Sequence, residues 1–423
     1  MVTQAPCARS SMLETKPIFI AIAGLLSLAV AMGIGRFAFT PLLPMMLHDG
    51  VVDLPQASWL ATANYLGYWL GAVACALQPW LWSRWRLAPP LRHTAAVRLG
   101  LVWTVLLTLA MAIDWPAVWA LWRFLAGMAS ALVFVYTTGW CLARLTALGA
   151  PALAGVIYMG PGLGITASGL AASAMVTLGW SAASGWLVFG ALAVALTFAA
   201  WPHLRGTVAP PTLAHAPADA SQGGVLPLFA LAYGLAGLGY IVTATFLPVI
   251  ARQALPGSIW LDLFWPLFGL GVALGALLTV RLPVHWDRRR LLMACYTMQA
   301  AGVLLTVWLP SLTGFALGSV LLGVPFTAIT LFAMQEARRL RPHGASAYIS
   351  LLTAAWGLGQ IAGPPLVALL LRRSATPGEG FALSLEIAAG ALLGGVAVFA
   401  WLVHRHPLGP ASRGTAHAAN GPA

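Results

Sequence analysis

The chain has 423 residues, of which 60% are hydrophobic and only 8% are charged. A globular surface in water needs about 25% charged residues, so a soluble fold is excluded. The net charge of +12 sits mostly on arginines in short gaps between apolar runs, so it reads as membrane topology, not as a nucleic-acid surface.

Residues 1–17 are a short polar lead carrying Arg9 and Lys16. Twelve apolar runs follow, at 18–46, 58–82, 95–113, 116–141, 150–178, 182–201, 225–250, 259–280, 290–309, 311–335, 345–371 and 380–403. About 20 helical residues cross the hydrocarbon of a bilayer, and each run suits that length. Membrane β-barrels show short alternating segments instead. The first run, with Lys16 ahead of it and Ala29-Val30-Ala31 inside it, could pass for a signal peptide. It continues well beyond that point, however, and its second half recurs later in the chain. The expected class is an all-α membrane protein of twelve transmembrane helices.

Residues 202–224 hold Pro210, Pro211, Pro217 and Gly223-Gly224, and read as a linker. They separate a six-helix bundle at 18–201 from another at 225–403. The tail, 404–423, is rich in Gly, Pro and Ala and is expected to be disordered. With the N-terminus in the cytoplasm, cytoplasmic segments hold sixteen Lys or Arg residues, against three (Arg252, Arg372, Arg373) on the other side. That asymmetry assigns the lead, linker and tail to the cytoplasm.

The chain repeats itself. Gly33-Ile34-Gly35 ending at Leu43-Pro44 matches Gly237-Leu238-Gly239 ending at Leu247-Pro248, with an offset of 204. Gly160-Pro161 matches Gly363-Pro364, offset 203. Two parallel pseudo-repeats joined by a linker are a transporter architecture, with the site between the halves.

Charge inside the apolar runs marks candidate function. A buried guanidinium costs roughly 2.5–3.5 kcal/mol on insertion scales, so Arg36 must face protein, water or ligand. Helical spacing puts Gly33, Arg36 and Thr40 on one face of the first span. Arg123, Gly127, Ser130 and Phe134 form a similar stripe in the fourth, and Asn64 lies at comparable depth in the second. Two readings stay open for each arginine: a cationic patch that binds an anionic substrate, or a lock on the bundle, bonding carbonyls or an acid of a neighbouring helix. Tyr240 occupies the repeat position of Arg36, and Gln360 in the eleventh span needs buried partners. Expected substrate-binding residues are therefore Arg36, Thr40, Asn64, Arg123, Tyr240 and Gln360.

Candidates for coupling and gating are Glu386 and Asp262, the acids nearest in depth, Glu336 at the end of the tenth span, and the Gly-Pro pairs Gly160-Pro161 and Gly363-Pro364. The glycines also suit close helix packing, and the prolines suit a bend. Cys7, Cys75, Cys141 and Cys295 are scattered, with no metal or disulfide spacing. There is no HExxH, GxGD or P-loop pattern, so no enzyme activity, metal or cofactor is expected.

These features resemble the major facilitator superfamily over essentially the whole chain. Arg123-Phe124-Leu125-Ala126-Gly127 is similar to its fourth-span motif. Gly160-Pro161-Gly162-Leu163-Gly164 is similar to its fifth-span antiporter motif, although Val156 stands where that pattern has glycine. The loop Ser83-Arg84-Trp85-Arg86 lacks the aspartate of the superfamily, whereas Asp287-Arg288-Arg289-Arg290 keeps it. The stretch GIGRFAFTPLLPMM resembles the YbfB/YjiJ branch. The resemblance implies a central cavity lined by spans one, four, seven and ten, and secondary transport by rocking of the halves. The expected function is alternating-access transport of a small organic anion or acidic amphipathic compound in the bacterial inner membrane. Protons are a candidate coupling partner, with export favoured over import by the fifth-span motif; nucleic acid is not a partner. The alternative is a non-transporting sensor or receptor on the same fold, which would want a larger structured tail or linker.

Overall fold

The computed structural model describes residues 16–86, 92–206, 224–258, 260–283, 285–341 and 345–407. The lead up to residue 15, linker residues 207–223 and the tail from 408 lie outside the described residues. Among the described residues, twelve segments are long and apolar enough to cross a membrane. In chain order, spans 1 to 6 are Pro17–His48, Leu54–Gln78, His93–Ala110, Pro116–Ala147, Pro151–Thr177 and Ala182–His203. Spans 7 to 12 are Val225–Ala254, Leu261–Thr279, Arg288–Trp308, Leu312–Leu340, Tyr348–Arg373 and Pro377–Arg405. They follow the apolar runs of the sequence to within a few residues, and no strand occurs among the described residues.

Helix ends follow local chemistry. Asp53 accepts from the Gln56 backbone N–H at 2.7 Å, while its own N–H donates to Gln56 Oε1 at 3.0 Å, a reciprocal cap that starts span 2. Ser181, Asp287, Ser311 and Thr376 cap spans 6, 9, 10 and 12 with side-chain oxygens. Large apolar side chains face outward along many spans, including Leu106, Leu187, Phe198 and Leu274. Outward apolar side chains suit lipid as the solvent of this surface.

Lipid offers little hydrophobic drive between helices, so close contact must come from small residues. The two halves use the same device. A Cβ on Gly67 of span 2 would strike the Phe124 carbonyl oxygen of span 4. One on Gly275 of span 8 would strike the Val324 carbonyl oxygen of span 10. Spans 1 and 5 meet at Gly33 and Gly164; spans 7 and 11 meet at Gly237 and Gly359.

The halves meet along two lateral pairs. Spans 5 and 8 touch at Gly162 and Gly269, where an added Cβ would strike backbone. Spans 2 and 11 touch where Trp69 Nε1 donates to the Ala354 carbonyl at 3.0 Å. Both ends of the described chain lie on one face, here the terminal face, because the number of spans is even. Span 7 contacts span 1 chiefly through Phe39–His48, its final segment, and is buried continuously from Gly239 to Ala251. The central helices are therefore packed against each other away from the terminal face.

Candidate functional site

Span 1 is not a uniform helix. An α-helix, Pro17–Leu28, passes into a π-helical stretch, Ala29–Arg36, and resumes as an α-helix at Phe39–His48. The Phe37 N–H reaches the Met32 carbonyl at 3.2 Å, a five-residue step. Such wide turns are uncommon and gather at functional sites. The glycine-rich Gly33-Ile34-Gly35 makes this one possible by letting neighbours come close.

The wide turn changes which residues share a face. Plain helical spacing predicts Gly33, Arg36 and Thr40 together. In the structure Gly33 faces span 5, with Gly164 Cα 2.5 Å from where its Cβ would stand. Arg36 and Thr40 face the second half instead. The π-turn adds backbone between these positions and rotates them apart.

Arg36 is 3% exposed. Its Nη2 donates to Gln360 Oε1 at 2.5 Å, crossing from span 1 to span 11. Gln360 Nε2 in turn donates to the Tyr240 hydroxyl of span 7. Among the described residues no carboxylate pairs with Arg36. Its guanidinium carbon stands 4.1 Å from the Tyr68 ring centre, 5.2 Å from Phe37 and 5.4 Å from Tyr65. Aromatic faces stabilise a desolvated cation by up to about 2 kcal/mol each, and here they take the place of an acid. Arg36 Nε is buried and has no hydrogen-bond partner.

The structure brings four of the expected residues, Arg36, Thr40, Tyr240 and Gln360, to the interface between halves. Thr40 Oγ1 donates to the Ala244 carbonyl at 2.9 Å. Tyr65 and Thr245 hydroxyls meet at 2.8 Å, a further tie between halves.

Arg123 and Asn64 are arranged differently. Arg123 donates from Nη1 to the Gly35 carbonyl at 3.3 Å and from Nη2 to the Arg36 carbonyl at 3.1 Å. These carbonyls belong to the end of the π-turn, where i−4 bonding fails. Ser130 donates to the Ala31 carbonyl at 2.7 Å, at the same turn. Of the two open readings, the contacts of Arg123 are those of the carbonyl clamp. Asn64 Nδ2 donates to the Arg123 carbonyl at 2.9 Å, so it ties span 2 to span 4 within one half.

The expected coupling residues do not join this cluster. Asp262 accepts a short bond from Arg252 at the far end of the bundle. Glu386 lies on an exposed flank of span 12. Glu336 is 1% exposed and takes Arg339 in two bonds, at 2.5 and 2.8 Å. Arg289 Nε stands 3.8 Å from Glu336, and Arg289 also holds Asp287 at 2.8 Å and the His406 carbonyl at 2.6 Å. This network ties spans 9, 10 and 12 at the terminal face. All its members lie in the second half, so it does not bridge the halves. Burial would raise the Asp287 carboxyl, but the bonds from Arg289 outweigh it and hold the group below its usual range.

The Gly-Pro pairs differ from each other. Span 5 breaks to a turn at Met159, just before Gly160-Pro161, and Gly160 packs on the Leu25 carbonyl of span 1. Span 11 runs unbroken through Gly363-Pro364, and Gly363 packs on Ile241 of span 7. Both are close-packing positions; only the first coincides with a break in the helix.

Sequence reasoning missed Tyr65, Tyr68 and Phe326. The Tyr65–Tyr68 pair, at three-residue helical spacing beside Asn64 and Gly67, was the available signal.

Two solved structures share this fold. A crystal structure of a point mutant of the nucleoside transporter NupG has a TM-score of 0.70 and 14% identity, covering 91% of this chain and 99% of that one. Another, described as "Crystal structure of nucleoside transporter NupG", has a TM-score of 0.64 and 13% identity, covering 91% and 98%. At this identity the likeness speaks for the fold. No match was found among curated proteins. The model of the family described as "Uncharacterised MFS-type transporter YbfB" matches residues 28–401. The cross-half cluster thus sits within a twelve-span facilitator fold, and the chain belongs to the YbfB-type family of major facilitator superfamily transporters.

Proposed function

We propose that this protein is a secondary transporter of the bacterial inner membrane, working by alternating access, and that Arg36 binds the acidic group of a small organic anion. The terminal face is then cytoplasmic, by the excess of arginines there. One observation carries the cargo reading: Arg36 is a buried cation at the interface between halves, with no acid to neutralise it and one N–H unused. An anion bound beside Arg36 supplies the missing charge. It also competes with Gln360 for Arg36, which links cargo to the contact between halves. Alternating access is the corresponding motion, because that contact must break for the far side to open.

A cargo carboxylate paired with Arg36 stays ionised, and among the described residues no carboxylate beside Arg36 is there to carry a coupling proton. Export is favoured on the Gly160-Pro161 motif. NupG is described as a nucleoside transporter. A nucleoside carries no charge to match Arg36, so the organic acid is the better fit here.

The test is flux in liposomes reconstituted with wild type, Arg36→Lys and Arg36→Gln. Radiolabelled monocarboxylates and uridine serve as probes. An acid is expected to be carried by wild type, with flux falling at least about tenfold in Arg36→Gln, as for loss of a charge-assisted contact. A cooperative thermal transition of Arg36→Gln is the control for folding. Wild-type acid flux in a folded Arg36→Gln protein, or transport of uridine alone, would overturn the proposal.

A further inference from the structure

The surroundings of Arg36 are built mainly of rings. On the first half stand Phe37, Tyr65 and Tyr68. On the second, Tyr240 stacks on Trp356 with centroids 5.2 Å apart and planes at 26°. Phe326 meets Tyr240 edge-on at 5.0 Å, and Tyr233 lies 4.7 Å from Trp356. Tyr68 and Phe326 are only partly buried, so the ring cluster has an approachable side.

The polar atoms in this cluster are few and directional. Arg36 Nη2 is held by Gln360 Oε1, while Nε on the same edge of the guanidinium is buried and unpaired. That edge offers two parallel donors, the geometry a carboxylate takes in a bidentate pair. Gln360 Oε1 therefore stands in for one carboxylate oxygen. A second anionic group would find no free cation nearby, because both terminal nitrogens of Arg123 are on backbone carbonyls.

We infer, resting on the reading that Arg36 holds the acidic group, that the cargo is an aromatic monocarboxylate. Its carboxylate takes the Nε and Nη2 edge of Arg36, and its ring packs against Tyr68, Phe326 and Trp356. Ring faces prefer the edge or offset face of another ring, so a flat aromatic body gains over an alicyclic one of equal size. A dicarboxylate would leave one charge buried among rings and unpaired, which is costly.

The experiment measures binding to purified full-length protein by shift in thermal midpoint against ligand concentration. The probes are benzoate, cyclohexanecarboxylate, terephthalate and benzamide. Benzoate should bind about three- to tenfold more tightly than cyclohexanecarboxylate, from the size of aromatic pair terms. Terephthalate and benzamide should bind weakest. Phe326→Leu and Tyr68→Leu should each reduce the ratio of benzoate to cyclohexanecarboxylate affinity; two variants guard against one failing to fold. Arg36→Gln should lose both acids. Equal binding of benzoate and cyclohexanecarboxylate, or preference for terephthalate, overturns the aromatic inference and leaves the Arg36 reading standing. Benzoate binding unchanged in Arg36→Gln overturns that reading as well. Failure of wild type to bind either monocarboxylate also overturns the inference.

Discussion

Thr40 and Ala244 are counterparts in the internal repeat, 204 positions apart, and they bond directly: Thr40 Oγ1 donates to the Ala244 carbonyl at 2.9 Å. Residues that meet their own repeat mates lie near the axis relating the two halves. Arg36 and Tyr240, also 204 apart, lie one helical turn back and are joined through Gln360. The clamp between halves thus runs along that axis, with the unneutralised cation just behind it.

Thr40→Val keeps the shape of the side chain and removes this bond. A neutral hydrogen bond contributes about 0.5–1.5 kcal/mol net, so the ratio of open to closed at this end should rise roughly two- to tenfold. Spin labels at H48C and Q253C, both on exposed positions of opposite halves, report it in a background lacking the native cysteines. A distance distribution identical to that of the parent would show that the bond does not hold the end closed.

Arg123→Ala should act on stability. It strips donors from the Gly35 and Arg36 carbonyls, which have few alternatives inside the bundle. Loss of bonds to a charged group costs about 1.5–3 kcal/mol each, so the thermal midpoint should fall clearly. Arg36→Gln should lower it less, because glutamine can still donate to Gln360 Oε1 and the desolvation cost of the buried cation is relieved. Scanning both variants side by side separates the carbonyl clamp from the binding cation; equal midpoints for the two would contradict this division.

Gly33→Ala should destabilise by about 1–3 kcal/mol, the usual cost of overpacking, because its Cβ would stand 2.5 Å from Gly164 Cα. Gly237→Ala, whose Cβ would strike the Trp356 carbonyl oxygen, should behave alike. Gly390→Ala meets nothing within 4 Å and should stabilise slightly, since alanine favours helix by about 0.5–1 kcal/mol. Detergent melting curves for the three variants give the comparison, and a neutral Gly33→Ala would argue against the tight span 1–span 5 contact.

Asp287 gives a pH signature. Its carboxyl is held below the usual value of 3.8, so the bound, ionised form stabilises the fold above that pH. The contribution is lost as pH falls through the lower folded value. Asp287→Asn should therefore lower the melting point most at neutral pH, and the gap from wild type should close in acid below 3.8. A gap that is constant across this range would remove the ionised pair with Arg289 as its cause.

Much of this protein was legible in the chain itself. Twelve apolar runs of bilayer-spanning length leave few other solutions, because unpaired backbone groups are not tolerated in lipid and helices satisfy their own. The repeat offset makes Tyr240 the counterpart of Arg36, and the burial cost of a guanidinium singles out Arg36. These are one-dimensional properties: length, polarity and recurrence. The partners were not legible, because they depend on how helices rotate and dock. Arg36 and Arg123 look alike as intramembrane arginines, yet one bonds an amide across the interface and the other caps carbonyls in its own half. The π-turn, a local departure from the helical period, is what turns Gly33 away from Arg36 and Thr40. Asp262 and Glu386 share comparable apolar contexts in sequence, and only packing assigned the first to Arg252 and the second to an exposed flank. Glu336 stands three residues before Arg339, so that pair was legible, whereas its approach to Arg289 was not. Depth follows from counting residues, whereas facing is settled by close contacts between small residues on helices distant in sequence.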